Sequence, residues 1–99
     1  MKEEIIFKED TRIKAKKPKM YKVIFHNDDY TTMEFVIEVL VKVFNKNPAE
    51  AAKIMYDVHK KGRGVAGIYS YDIAMTKISQ VMDMSEESGF PLKLSMEEE

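Results

Sequence analysis

The chain has 99 residues, a formal net charge of −1 and no cysteine. This length fits one small domain with a modest core, and the low net charge excludes a strong overall attraction to nucleic acid or membrane. Without cysteine the chain forms no disulfide, thiolate metal site or thiol nucleophile. We find no secretory signal and no apolar run of membrane-spanning length, so we expect a cytoplasmic protein.

The first nineteen residues alternate charge without a sustained helical or strand period. Residues 14–18, Lys-Ala-Lys-Lys-Pro, offer no apolar surface to bury, which predicts a flexible N-terminal extension over 1–19. The folded domain is then expected to cover residues 20–99. Such a basic segment is usually a solvated end, and the alternative is a docking segment for a partner.

A strand and a helix are predicted on either side of a polar turn. Residues 20–25 are aromatic and β-branched, which indicates the strand. Asn-Asp-Asp at 27–29 ends it, because these side chains bond nearby backbone and favour turns. Thr31 and Glu34 have the spacing of a capping box, so the helix should run from about 32 to 45 with Thr31 as its N-cap.

This first helix is more apolar than packing on one sheet requires. The excess predicts a second apolar contact, either with another helix or with a ligand pocket beside the first turn. The apolar positions are Met33, Phe35, Val36, Ile37, Val39, Leu40, Val41, Val43 and Phe44.

A second helix should begin at Asn47, because Asn is a good N-cap, Pro48 suits the first helical position and Glu50 suits the first turn. Two lysines followed by Gly62 predict its end, since cations and a left-handed glycine are typical of helix C-termini. Residues 63–69 are rich in glycine and then strand-like, which predicts a second strand.

A third helix is predicted after Ser70, a residue type that caps helices. A Gly-Phe-Pro turn at 89–91 should lead into a last short strand over 92–96. The order βααβαβ predicts a single α+β domain with a three-stranded antiparallel sheet covered by helices on one side. The residues of the third helix that should face the core are Ala74, Ile78, Val81 and Met82.

Catalysis is not expected from this sequence. Nucleophilic catalysis needs an activated side chain beside a base, and His26 and His59 are the two histidines that could supply one. No serine lies in a strained glycine turn, and the adjacent carboxylates Asp28 and Asp29 should diverge rather than form an acid/base pair. We therefore expect no catalytic residue and no enzyme activity.

A metal ion or another cofactor is not expected either. The same histidines and carboxylates lack the close spacing of zinc sites and the glycine-centred pattern of calcium loops. The loop at 60–64, Lys-Lys-Gly-Arg-Gly, lacks the full phosphate-loop pattern and follows a helix rather than opening one. A helix cap explains that loop better.

His59 lies one turn after Met55 on the predicted second helix. A lone histidine on an apolar face is more often a packing residue, and a methionine there is more often part of an ordinary core. If this face meets the first turn of the first helix, however, His59 comes close to the turn at 27–29. The result would be an apolar hole of Met33, Val36, Met55 and Val58, rimmed by Asn27, Asp28, Thr31 and His59.

Several strings in the chain together resemble the ClpS adaptor family. The resemblance covers about residues 18–96, and its most specific part is Asn-Asp-Asp-Tyr-Thr followed by Met-Glu-Phe-Val with a Val-His pair at the right distance. The strings lie at 21–24, 27–31, 33–36, 58–59, 67–69, 74, 76–77 and 91–92.

This resemblance implies an adaptor without cofactor that binds the N-terminal residue of N-degron substrates, preferring Leu, Phe, Tyr and Trp. It also implies delivery to the N-terminal domain of a ClpA- or ClpC-type AAA+ unfoldase, paired with the ClpP peptidase. The adaptor would be a monomer with no nucleic-acid or membrane partner. A rival interpretation is a general protein-interaction or ribosome-associated module, which would need no free amine.

The resemblance also implies roles for particular residues. Asn27 and His59 would hold the α-amino group, and Asp28 would contact the peptide backbone, while Asp29 has no clear role beyond the turn. Asp72 and Lys77 would lie on the face that docks the unfoldase, which the extension at 1–19 would also engage. The hydrophobic pocket would be lined by Thr31, Met33, Val36, Met55, Val58 and Leu92.

Two positions depart from the family pattern. Thr32 replaces a common proline, but both suit a helix start, so the cap at Thr31 should survive. Met75 replaces a common glutamate beside the docking face, which changes one polar contact with the unfoldase and leaves the pocket untouched.

Overall fold

The computed structural model describes residues 18–99. The predicted order βααβαβ is confirmed. The predicted N-terminal extension lies outside the described residues apart from Pro18 and Lys19. The elements are β1 (Met20–His26), α1 (Met33–Lys42), α2 (Pro48–Lys61), β2 (Arg63–Ser70), α3 (Tyr71–Ser88) and β3 (Lys93–Glu98).

The three strands form one antiparallel sheet in the order β2-β1-β3. The central strand β1 pairs with both edges, and its last residue His26 lies opposite Arg63 on one side and Lys93 on the other. The chain that leaves β1 at Asn27 therefore emerges at the end of the sheet where both edge strands begin. The predicted three-stranded antiparallel sheet is confirmed.

The helices cover one face of this sheet. Successive residues of a strand point to opposite faces, and Val23 and Phe25 of β1 belong to one buried cluster that includes residues of all three helices. The cluster includes Val39 and Leu40 of α1, both fully buried. The predicted layer of helices on one side of the sheet is confirmed.

Helix α1 is shorter than predicted, since it ends at Lys42 rather than near residue 45. Val43 is its C-cap. Asn45 adopts a left-handed backbone with φ 55°, which is incompatible with a right-handed helix at this position. The extra apolar residues of this segment still pack, because Val43 and Phe44 are buried beyond the helix end. The turn thus folds them back into the core.

Helix α2 begins and ends as predicted. The Asn47 side chain accepts a hydrogen bond from the Glu50 amide at 2.8 Å and donates one to the Glu50 carboxylate at 2.8 Å. Gly62 ends the helix in the left-handed conformation with φ 87°, and its amide donates to the Val58 carbonyl. Both ends are therefore set by residues next to the helix.

Helix α3 follows Ser70, which occupies the N-cap position without a side-chain cap bond. Ala74 and Val81 are buried and Ile78 is partly buried, as predicted, but Met82 is 61 % exposed. The prediction for Met82 is wrong because one residue turns the helix by about 100°, which carries it away from the inward stripe of Val81. Within residues 18–99 no helix is long and apolar enough to cross a membrane.

Candidate functional site

A cavity of about 450 Å³ opens where β1 ends. Its walls are the loop after β1, the first turn of α1 and the C-terminal half of α2. Eight of the nine residues predicted for substrate binding line it, and Leu92 does not. These eight residues are Asn27, Asp28, Thr31, Met33, Val36, Met55, Val58 and His59.

The end of α2 is tied directly to the end of β1. The Asn27 amide donates a hydrogen bond to the Gly62 carbonyl at 3.0 Å. Since Gly62 terminates α2, this bond fixes the last turns of the helix, including Val58 and His59, beside the loop that starts at Asn27. The amide of Asn27 thus brings the two halves of the cavity together.

Asp28 shapes the loop between β1 and α1. Its carboxylate accepts hydrogen bonds from the amides of Tyr30 and Thr31 at 2.8 and 2.6 Å, and from the Thr31 hydroxyl at 2.7 Å. Burial by itself raises the pKa of Asp28, but these bonds from Thr31 and Tyr30 outweigh it and the pKa lies below its ordinary value. The cavity therefore holds a fixed negative charge at neutral pH.

The N-cap of α1 is Thr32 and not Thr31, which corrects the prediction. Thr32 has an extended backbone, and its hydroxyl accepts a hydrogen bond from the Phe35 amide at 3.1 Å. Thr31 instead belongs to the loop before the helix, where its hydroxyl donates a hydrogen bond to the Asp28 carboxylate. Thr31 remains in the cavity wall, and the helix begins one residue later than expected.

The apolar part of the cavity lies between α1 and α2. Val36 and Val58 are almost fully buried and Met55 is partly buried, so these side chains belong to both the core and the cavity wall. Met33 is 47 % exposed and lies at the rim. The cavity thus has an apolar interior and an adaptable thioether at its entrance.

The polar side of the cavity consists of hydrogen-bond acceptors. Asn27 and His59 are exposed residues in its lining, which also includes Asp28. An amide carbonyl and a neutral imidazole nitrogen both accept hydrogen bonds. A ligand with a cationic donor at one end and an apolar group beside it matches this arrangement. Among residues 18–99 there is no group of three or more side chains that could hold a metal ion.

Leu92 is the predicted pocket residue that the structure places elsewhere. It is 7 % exposed and belongs to the core cluster under the helices. Its neighbour Lys93 starts β3 opposite His26, and Leu92 itself is not among the residues that line the cavity.

Three further residues, Asp29, Tyr30 and Thr32, line the cavity although the sequence analysis did not assign them to it. Asp29 was expected only to shape the turn, and Tyr30, which is 76 % exposed, had no role. Both follow Asp28 in a loop whose backbone turns toward the carboxylate. The sequence feature that could have indicated a place in the cavity for Asp29 and Tyr30 was their position in the Asn-Asp-Asp-Tyr-Thr string.

Asp72 and Lys77 lie together in a separate shallow cavity of about 250 Å³ on α3. Its lining also includes Ile73, Thr76 and Gln80. No residue of α3 lines the larger cavity at the end of β1. The residues predicted for substrate binding and those predicted for docking thus occupy two different surfaces.

Lys77 also has an internal role that the sequence did not indicate. Its ammonium donates a hydrogen bond to the Val43 carbonyl at 2.7 Å, at the C-terminus of α1. It also lies over the rings of Phe44 and Tyr69, 5.7 and 5.2 Å from their centroids. Lys77 therefore joins α3 to the end of α1.

Comparison with known proteins agrees with this architecture. The structure of Agrobacterium tumefaciens ClpS2 bound to L-phenylalaninamide superposes with a TM-score of 0.80 at 41 % identity, covering 84 % of this chain and all of that one. The family model for ATP-dependent Clp protease adaptor protein ClpS matches residues 16–95. The chain belongs to the ClpS family.

Two ClpS relatives show how much of the chain is shared. The ATP-dependent Clp protease adapter protein ClpS of Clostridium acetobutylicum is 66 % identical over 85 residues, which cover 86 % of this chain and 84 % of that protein. The ClpS of Acetivibrio thermocellus is 57 % identical over the full length of both chains. The resemblance found in the sequence is confirmed, and the chain is an adaptor of an ATP-dependent Clp protease.

Proposed function

We propose that this ClpS protein binds the free N-terminal residue of N-degron substrates and delivers them to a ClpA- or ClpC-type AAA+ unfoldase for degradation by ClpP. It catalyses no reaction itself in this proposal. The observation that carries it is one cavity with an apolar interior and a row of acceptors, Asn27, Asp28 and His59, along its wall. The related ClpS2 was solved with L-phenylalaninamide, a ligand with a free α-amino group beside a benzyl side chain.

The polar wall recognises the α-ammonium group. An ammonium group has only donors, so it needs acceptors at short range. The Asn27 carbonyl and a neutral nitrogen of His59 each accept one hydrogen bond, and the Asp28 carboxylate supplies negative charge beside them. An acetylated terminus has lost both the charge and two donors, so it is rejected.

The apolar interior selects the first side chain by burying it. Burial of a Leu or Phe side chain contributes roughly 1.5–3 kcal/mol, and each hydrogen bond to the charged amine contributes about 1.5–3 kcal/mol. Association opposes this with at least about 4 kcal/mol. With one hydrogen bond each to Asn27, His59 and Asp28, the favourable end of these ranges leaves about 8 kcal/mol, a dissociation constant on the order of micromolar, which suits an adaptor that must release its cargo.

Met33 at the rim discriminates by the shape of the first side chain. A side chain branched at Cβ is widest at the entrance, where it meets Met33, whereas Leu and the aromatic residues are narrow there. We expect Leu, Phe, Tyr and Trp to bind and Val and Ile to bind poorly.

Delivery uses a different surface. Asp72 and Lys77 on α3 dock the N-terminal domain of the unfoldase, and residues 1–19 engage it as well. Because the α3 cavity shares no lining residue with the substrate cavity, the adaptor holds substrate and unfoldase at the same time.

A panel of short peptides that differ only in their first residue tests the substrate preference. Calorimetric titration should give the highest affinities for Leu, Phe, Tyr and Trp, and at least about tenfold weaker binding for Ile and Val, as expected when the entrance is too narrow. Equal affinity for Leu and Ile would contradict the role of Met33.

A further inference from the structure

We propose that Gly64 of β2 is a positioning residue for the amine site. The absence of a side chain at this position lets α2 pack close to β2, and this close packing holds His59 within reach of the group that Asn27 also binds. The inference rests on the proposed function, because it concerns how the same site recognises an N-terminal amine.

The space beside Gly64 has no room for a methyl group. A Cβ atom at this position would lie 2.8 Å from Val58 Cγ2 and 3.1 Å from the Ile54 carbonyl oxygen. Carbon atoms in contact ordinarily stay about 3.5–4.0 Å apart. Valine is stiff at χ1 and the carbonyl belongs to the helix backbone, so neither neighbour moves independently of α2.

The sheet cannot move aside in place of the helix. Gly64 pairs with Phe25 of the central strand, and Phe25 is fully buried in the core between the sheet and the helices. The added volume therefore displaces α2 away from β2, by a few tenths of an ångström or more. Residue 59 follows the displaced Val58 directly, so His59 moves with it.

The loop on the other side of the site is tied to α2 through the bond from the Asn27 amide to the Gly62 carbonyl, so displacing Val58 pivots the helix about its C-terminal end. Asn27 continues β1, two residues after Phe25, and Asp28 holds its own loop through Tyr30 and Thr31. The distance between His59 and Asn27 therefore increases, which weakens the hydrogen bond that His59 makes to the amine. The Asn27 bond and the apolar wall from α1 persist.

The decisive variant is Gly64→Ala, titrated with a peptide that begins with Leu and has a free α-amino group, and with the same peptide acetylated at its N-terminus. We expect its affinity for the free peptide to fall about fivefold, the size expected from weakening one hydrogen bond to a charged group. Gly67→Ala is the matched control on the same strand. The three atoms nearest to a Cβ at Gly67 would all belong to the Tyr69 side chain, the closest being its hydroxyl oxygen at 2.5 Å, so this change disturbs β2 without a close contact to α2.

A double-mutant cycle distinguishes positioning from a general loss of stability. In the His59→Ala background the Gly64→Ala change should lower affinity by less than it does in the wild type, because the hydrogen bond that it weakens is already absent. An undiminished effect in that background, or an equal affinity loss in Gly67→Ala, would overturn the inference.

A second variant keeps the test decisive if Gly64→Ala folds poorly. Val58→Ala removes the Cγ2 atom that the new methyl group would meet. In that background the Gly64→Ala change should lower affinity by less than it does in the wild type, and an undiminished effect would contradict the proposed contact. A wild type that binds free and acetylated peptides equally would instead refute the proposed function itself.

Discussion

Asp28 uses both carboxylate oxygens to hold the loop that forms one wall of the substrate cavity. One oxygen accepts from the amides of Tyr30 and Thr31 and the other from the Thr31 hydroxyl. These bonds give the loop its shape before any ligand arrives. In the proposed function Asp28 would contribute to peptide binding in two ways, as the acceptor that orders the wall and as the negative charge beside the amine.

Two substitutions of Asp28 separate these contributions. Asp28→Ala leaves three donors without their acceptor, and we expect it to lower the free energy of unfolding by about 1–2 kcal/mol and to weaken peptide binding. Asp28→Asn keeps a carbonyl for the two backbone amides but removes the charge, so it should lose affinity with a smaller loss of stability. Chemical denaturation measures the free energy of unfolding of each variant, and calorimetry measures its affinity for the peptide. Equal stability of Asp28→Ala and the wild type would contradict this role.

The lowered pKa of Asp28 predicts how that stability depends on pH. The folded state keeps the carboxylate charged to lower pH than the unfolded chain does, so its contribution is present above the unfolded value and is lost as pH falls through the folded one. The stability difference between the wild type and Asp28→Asn should thus shrink below about pH 4. From about pH 5 to 8 Asp28 stays charged, so its contribution to stability should be constant there.

At the scale of elements, α1 is fixed at both ends by side chains from different parts of the chain. Thr32 caps its N-terminus next to the substrate cavity, and Lys77 of α3 bonds the Val43 carbonyl at its C-terminus. The first turn of α1 carries Met33 and Val36 into the cavity. Contacts at the far end of the helix therefore help to hold the wall that selects the first side chain.

Lys77→Met should lower the free energy of unfolding by about 1–2 kcal/mol, because the Val43 carbonyl loses its donor and two aromatic rings lose a cation. Asp72→Ala is the control on the same surface of α3, where the side chain is exposed, and it should leave stability nearly unchanged. Thermal or chemical denaturation of both variants checks this. Equal stability losses would contradict the internal role of Lys77. An effect of a Lys77 substitution on unfoldase docking can be interpreted only when the stability of the variant has been compared in this way.

The ends of helices could be predicted where the deciding atoms are close in sequence. Asn47 and Gly62 act on residues within four positions, and both were identified correctly. The N-cap of α1 was placed one residue early because the amide and hydroxyl of Thr31 bond to Asp28 and hold Thr31 in the loop, which a spacing rule does not include. Lys77 meets Val43 across 34 positions, and no local pattern indicates such a contact.

At the scale of the whole molecule, the central strand positions the substrate cavity. β1 lies between both edge strands, so its end at His26 is held on two sides and the loop at Asn27 starts from a rigid base. The docking residues lie on α3, whose side chains do not line that cavity. In the proposed function, this separation would let one small domain hold two partners.

The order of elements and the single layer of helices followed from periodicity and turn residues in the sequence. The meeting of His59 with Asn27 was predicted only on the condition that α2 packs beside the first turn of α1. Gly64 shows why the sequence left this open, since a glycine in a strand does not reveal which helix approaches it. Leu92 was assigned to the pocket, but pairing of β3 with β1 draws it into the core.

The central claim is that the cavity recognises a free α-amino group through Asn27 and His59. The most direct measurement is calorimetric titration of the wild type with one peptide beginning with Leu, in its free and acetylated forms, repeated with His59→Ala. The free peptide should bind with a dissociation constant on the order of micromolar, and the acetylated peptide should show no measurable binding. His59→Ala should lose most of the affinity while it remains folded, because this side chain is exposed. Equal binding of the two peptides to the wild type would contradict the claim.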